Sequence, residues 1–158
     1  MALIGPVKRT SIIVNNLNES VDFWKDVFEL EPWWEAEVTK DHHDDHVFRL
    51  LGIARADIKV AILQSPGFDH GMVGLFEIVD PNLPFLRATP PAGMVRNEIS
   101  LIFETDDIDE IRKRLDARGH PLVCEPMRVE LAGYPPKIEM TLRDPNGVFI
   151  NLIQTLHE

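Results

Sequence analysis

RTSIIVNNLNESVDFWKDVF, residues Arg9 to Phe28, joins a β-branched run to a stretch whose apolar residues fall at helical spacing. Thr10 to Val14 reads as a strand, and Leu17, Val21, Trp24 and Phe28 form the apolar stripe of a helix. Asn16 is placed to accept a hydrogen bond from the free N–H groups of the first turn, and Glu19 completes a capping box. The pattern recurs in SLIFETDDIDEIRKRL, Ser100 to Leu115, with the same strand, the same acidic or amide turn and the same kind of helix. Leu17 answers to Ile108 and Glu19 to Glu110, each at an offset of 91 residues (108 − 17 and 110 − 19). Two copies of one strand–helix unit predict a duplicated architecture.

Length and composition set the outer limits. A chain of 158 residues fits one compact domain, or two small modules. With 44% hydrophobic and 27% charged residues, it has the composition of a folded protein. Twenty-six acidic residues against 16 basic ones give a formal net charge of −10, which argues against nucleic acid and anionic membrane as partners. The single cysteine, Cys124, has no internal disulfide partner and fits a reducing compartment. The opening MALIGPVKRT lacks the charged region and long apolar run of a signal peptide, and no apolar stretch approaches the ~20 residues that span a bilayer. A cytoplasmic location is expected.

Between the two strand–helix copies the first module continues through three expected strands. These are Trp33 to Val38, Ile58 to Leu63 and Met72 to Val79. KDHHDDH, residues 40–46, reads as a polar turn, and Val47 to Leu51 as a short apolar run interrupted by Gly52. Pro81, Pro84, Pro90 and Pro91 mark a connector, since proline removes ladder donors. In the second half Ile99 to Phe103 is a strand and Asp107 to Arg118 a helix with Ile108, Ile111 and Leu115 inward. Gly119 stops that helix. Leu122 to Glu125, Ile138 to Leu142 and Val148 to Ile153 are the remaining strands, the last two joined by the turn Asp144-Pro145-Asn146-Gly147. The expected fold class is α+β, with two βαβββ modules at 7–80 and 97–155 and a Pro-rich connector at 81–96.

This arrangement resembles the vicinal oxygen chelate superfamily, which includes glyoxalase I, extradiol dioxygenases, and bleomycin- and fosfomycin-resistance proteins. The resemblance is carried by Val14 to Trp24, by Phe103 to Asp109 (FETDDID) and by Arg143 to Ile150 (RDPNGVFI). It implies that the two modules pair their sheets into a cup. In metal-using members a divalent ion sits in that cup, held by a histidine or glutamine from the first strand of each module and a carboxylate from the last.

Carried over position by position, the resemblance puts Arg9 and Ser100 at the first-strand positions, Glu77 at the carboxylate position of module one, and Asn151 at that of module two. A guanidinium cannot ligate a metal, serine is a poor ligand, and a lone carboxylate does not make a site. No metal or other cofactor is therefore expected. Arg9 and Glu77 would face one cavity. There they either form an ion pair filling the vacated position, or act on a ligand, Arg9 clamping an oxygen and Glu77 serving as base or acceptor. Ser100 and Asn151 would add neutral hydrogen bonds.

Other candidates are weaker. His42, His43 and His46 stand among Asp41, Asp44 and Asp45, but a solvated loop does not preorganise ligands. His70, just before the Glu77 strand, reads as a surface turn or as reaching the mouth of the cup, His120 as positional and His157 as terminal. Trp33 and Trp34 are successive strand residues, so one is expected in the core and the other toward the cup or a partner. Tyr134 sits in a Gly-Tyr-Pro-Pro turn from which it either closes over a pocket or caps a loop. The expected function is a metal-independent protein of the superfamily that binds a small hydrophobic or aromatic, oxygen-bearing molecule, or transforms it in a lyase or isomerase step. The alternative is a metal-dependent lyase like lactoylglutathione lyase, or an extradiol dioxygenase, with altered ligands for iron, manganese, nickel or zinc. A module recruited for protein interaction is a third reading. The resemblance also implies a homodimer.

Overall fold

The computed structural model describes residues 4–80, 93–96, 98–133 and 135–157. The chain divides into two compact units, Met1–Leu86 and Arg87–Glu158. Unit 1 runs β1 (Arg9–Val14), α1 (Leu17–Phe28), β2 (Glu31–Val38), α2 (His46–Leu51), β3 (Asp57–Gln64) and β4 (Met72–Asp80). Its strands form one sheet in the order β1-β4-β3-β2, with β1 parallel to β4 and the other pairs antiparallel. Unit 2 runs β5 (Ser100–Glu104), α3 (Ile108–Ala117), β6 (Leu122–Val129), β7 (Lys137–Arg143) and β8 (Phe149–Thr155). Its sheet has the order β5-β8-β7-β6, with β5 parallel to β8, and so repeats the topology of the first. The α+β class and the duplication are as expected. Most of the Pro-rich connector at 81–96 lies outside the described residues.

Helix α1 starts where its cap demands: the Asn16 side chain accepts from the Glu19 N–H at 3.1 Å. It buries Leu17, Ser20, Phe23, Trp24 and Val27 against β3 and β4. The buried stripe is thus turned slightly from the expected one, leaving Val21 and Phe28 half-buried at its edge. Beneath it Ile12, Val14, Ala61, Leu63, Val73 and Leu75 are buried, each worth about 1.5–3 kcal/mol for the larger side chains. In unit 2, α3 is capped by Asp107, whose carboxylate accepts from the Glu110 N–H at 2.9 Å. It covers β7 and β8 with Ile108 and Leu115, over Met140, Leu142, Ile150 and Leu152.

Two elements differ from the expectation. His46 to Leu51, read as the end of a polar turn and an apolar run, is helix α2. Phe48 is its anchor: it is buried in a cluster with Ile58, Val60, Ile62, Met72, Phe76 and Ile78, with Val47 and Leu51 packed alongside. Gly52, at φ 67, supplies the left-handed cap. Strand β6 extends past Pro126 to Val129 because the register shifts between Cys124 and Met127, which takes the proline out of the ladder.

Candidate functional site

Strand alternation decides which side chains share a face. In unit 1, β1 pairs Arg9 with Met72, Ser11 with Gly74, Ile13 with Phe76 and Val14 with Glu77. Ile12 and Val14 are buried on the side that α1 covers, whereas Arg9, Ser11 and Ile13 are exposed on the other. Arg9 therefore shares a face with Met72, Gly74 and Phe76, and Glu77 with Ile12 and Val14.

The expectation that Arg9 and Glu77 line one cavity is thus corrected: they project from opposite faces of the sheet. Glu77 is occupied at the other side, where its Oε2 accepts the Leu17 N–H at 2.9 Å and satisfies the first turn of α1. Unit 2 repeats the device with a neutral group, since Gln154 Oε1 accepts the Ile108 N–H at 2.9 Å. The counterpart of Glu77 is therefore Gln154. Asn151 has a different counterpart. Arg9 pairs with Met72 and Ser100 with Phe149, and two positions further along those last strands stand Gly74 and Asn151.

Gly74 is where Arg9 lies down. A Cβ at position 74 would stand 2.9 Å from Arg9 Cδ and 3.1 Å from a Phe76 ring carbon. The missing side chain lets the arginine stem rest on the sheet beside the ring, a close approach of the kind that glycine within a strand permits. No ion pair or hydrogen bond holds the Arg9 guanidinium among the described residues. The face thus presents a cation over an apolar floor of Met72 and Phe76, both buried.

In unit 2 the corresponding face is polar. Ser100, Phe149 and Asn151 share it, together with Arg143, Thr141, Glu139 and Lys137 from β7. Asn151 Nδ2 donates to Glu139 Oε2 at 3.0 Å, and Lys137 Nζ lies 2.6 Å from Glu139 Oε1. The hydrogen bond from Lys137, then that from Asn151, hold the Glu139 carboxyl below its ordinary range. At one end of the face Arg143 makes a two-pronged pair with Glu98, at 2.6 and 3.1 Å, and its guanidinium carbon lies 5.0 Å from the centre of the Phe149 ring. Glu139, Lys137 and Gly74 were not singled out from the sequence. The available signals were Lys-x-Glu alternation on β7 and a glycine inside a strand pattern.

Trp33 and Trp34 are 53% and 47% exposed, so neither packs in the core as one was expected to. They stand on the edge strand β2, where the register shifts between Pro32 and Trp34. Tyr134 lies outside the described residues. Asp44, Asp45 and His46 bring one ligand atom each within 4.8 Å of one another, at the start of α2. His46 Nδ1 lies 2.8 Å from Asp44 Oδ1, and the His46 backbone N–H, then its ring, lower the Asp44 carboxyl pKa. His120 Nε2 meets the Arg143 carbonyl, and His70 sits edge-on to Phe68 in an exposed loop. No helix among the described residues is long and apolar enough to cross a membrane.

Two four-stranded sheets built by duplication of one unit, each covered on one face by a capped helix, define the class of protein. Residues 7–152 match the Glyoxalase/Bleomycin resistance protein/Dioxygenase superfamily, and the chain belongs to that family. Among solved structures it is similar to a glyoxalase family protein from Bacillus cereus (TM-score 0.80, 23% identity, 99% of each chain covered). It is also similar to a glyoxalase/dioxygenase from Nostoc punctiforme (TM-score 0.61, 17% identity, 99% of each chain). A third is TnmS3, an antibiotic-binding protein from Streptomyces sp. CB03234 (TM-score 0.57, 18% identity, 99% of this chain and 100% of that one). No curated protein matches the chain.

Proposed function

We propose that this chain is a metal-independent member of the superfamily that binds a small hydrophobic or aromatic molecule through one of its oxygens. The observation that carries the reading is Arg9, whose stem lies over Gly74 beside the Phe76 ring and whose guanidinium has no partner among the described residues. A guanidinium fork takes an anionic or carbonyl oxygen with directed hydrogen bonds, and the floor favours an apolar body.

The metal that many members of the family use does not fit the residues present. Of the four positions, Arg9 is a cation without lone pairs, Gly74 has no side chain, and Ser100 and Asn151 offer one neutral oxygen each. Divalent ions are held by imidazole, thiolate or carboxylate groups, and none stands at these positions. Glu77, the carboxylate nearest in sequence, is engaged with α1 on the opposite face.

Binding of aromatic carboxylates and phenols, followed by calorimetry with and without a chelator, tests the reading. Affinity is expected to survive chelation and to fall at least about tenfold in Arg9→Ala, the cost of a lost charge-assisted hydrogen bond, with the circular dichroism spectrum unchanged. Unchanged affinity in that variant, or stoichiometric iron, manganese, nickel or zinc in the purified protein, overturns it. A homodimer is part of the same reading. The exposed tryptophan pair on the open edge of β2 supports it, and sedimentation of the purified chain decides it.

A further inference from the structure

Two polar atoms on the unit 2 sheet are shielded from solvent yet have no hydrogen-bond partner: Ser100 Oγ and Asn151 Oδ1. Buried polar atoms are nearly always paired, and leaving one unmade costs about 1–3 kcal/mol. Here the two lie on one face of neighbouring strands. Ile102 stands directly across from Asn151, and Ser100 lies two residues before it.

The amide of Asn151 is not free to turn. A carboxylate only accepts hydrogen bonds, so the group that meets Glu139 Oε2 at 3.0 Å has to be Nδ2. A flipped amide would set its carbonyl oxygen against a carboxylate oxygen. Lys137 Nζ, 2.6 Å from the other carboxylate oxygen, keeps Glu139 in place. The ion pair thereby dictates that the carbonyl end of Asn151 points away from β7. Beside it stands the Ser100 hydroxyl, which both donates and accepts. Ile102, 61% exposed, and the half-buried Ile153 lie on the same face and are the aliphatic side chains that an apolar body would meet beside these polar groups.

We propose that Ser100 and Asn151 form a ligand subsite that takes a hydrogen-bond donor, a hydroxyl or an N–H, on an otherwise apolar molecule, with Lys137 and Glu139 as its positioning residues. The proposal rests on the reading of the chain as a small-molecule binder and says which polar group is recognised on this face of unit 2. An anionic oxygen does not suit this subsite, because Asn151 turns lone pairs toward it and the Glu139 carboxylate stands one hydrogen bond behind.

Matched probes that differ only in the donor test this: phenol against its methyl ether, and naphthol against its methyl ether, titrated calorimetrically into the full chain. The hydroxyl compound of a pair is expected to bind about tenfold tighter, the worth of one neutral hydrogen bond. That ratio should fall to about one in Asn151→Leu. In Glu139→Gln it should also drop, because either end of the Asn151 amide can then face the ligand. Equal affinities for hydroxyl and ether in the unaltered protein overturn the subsite and leave the proposed function standing. Binding of none of the four overturns both. A loss in Asn151→Leu that is equal for hydroxyl and ether assigns Asn151 a structural role and also overturns the subsite, since a structural effect does not move the ratio.

Discussion

Gly74 contributes no atom beyond its backbone, yet it determines what Arg9 can do. Its backbone is not left-handed, so a larger residue is excluded only by the arginine stem and the Phe76 ring. Gly74→Ala is therefore expected to cost little stability, about 1 kcal/mol, because Arg9 can swing away. The displaced guanidinium should weaken ligand binding as much as Arg9→Ala does. Paired urea titrations and calorimetry check this; full affinity in a folded Gly74→Ala protein would show that the resting place of Arg9 is irrelevant. Glu139 gives a second prediction at this scale. Its folded pKa lies below the ordinary range of a glutamate because Lys137 and Asn151 donate to the carboxylate. The stabilisation is thus complete above the unfolded pKa and is lost as pH falls through the folded one. Melting temperatures measured from pH 7 downward should drop below about pH 4.5 less steeply in Glu139→Gln than in the parent protein. Identical acid limbs would remove the Lys137–Glu139 pair from the stability account.

At the scale of elements, helix starts carry the most readable signal and strand faces the least. Both helices start on a side-chain cap, and a cap is local: Asn16 and Asp107 need only the N–H groups of Glu19 and Glu110, three residues on. The face on which a strand residue lies depends on its partner strand, and an error of one position reverses it. Reading Glu77 as the counterpart of Asn151, when the pairing makes it Gly74, displaces the site by three residues and so onto the wrong side. A glycine also offers no side-chain atom, so nothing at position 74 marks a site in the sequence. Helix α2 was illegible for another reason, since six residues hold too few turns to show a period and tertiary burial of Phe48 is what supports it. The paired strand-to-helix bonds give an element-scale prediction. Gln154 shows that a neutral oxygen suffices at the first N–H of α3. Glu77→Gln should therefore change stability by less than about 0.5 kcal/mol, while Glu77→Leu, which leaves the Leu17 N–H unpaired, should cost about 1–3 kcal/mol. A large loss in the glutamine variant would mean that the charge at Glu77 matters beyond its acceptor role.

Across the whole molecule, duplication preserved topology while the free faces of the two sheets diverged. Unit 1 turned its face apolar and laid α2 over it; unit 2 kept Lys137, Glu139, Thr141, Arg143 and Asn151 on the equivalent surface. The order of strands is held by backbone pairing and by the helix-covered face, where Ile12, Leu75, Leu142 and Ile150 leave little choice of side chain. On the other face the Phe48 cluster imposes packing in unit 1, whereas the equivalent surface of unit 2 carries polar side chains, so its chemistry can change without loss of fold. If α2 is a working part of the unit 1 core, removing its anchor has to be costly. Phe48, 2% exposed among aliphatic neighbours, should lose about 3–5 kcal/mol on truncation to alanine. All three tryptophans, Trp24, Trp33 and Trp34, stand in unit 1, so intrinsic fluorescence reports the unfolding of that unit directly. The fluorescence midpoint of Phe48→Ala in urea should fall accordingly. A loss below about 1 kcal/mol, the range of surface substitutions, would mean that the sheet holds its face without the helix and that α2 is an appendage.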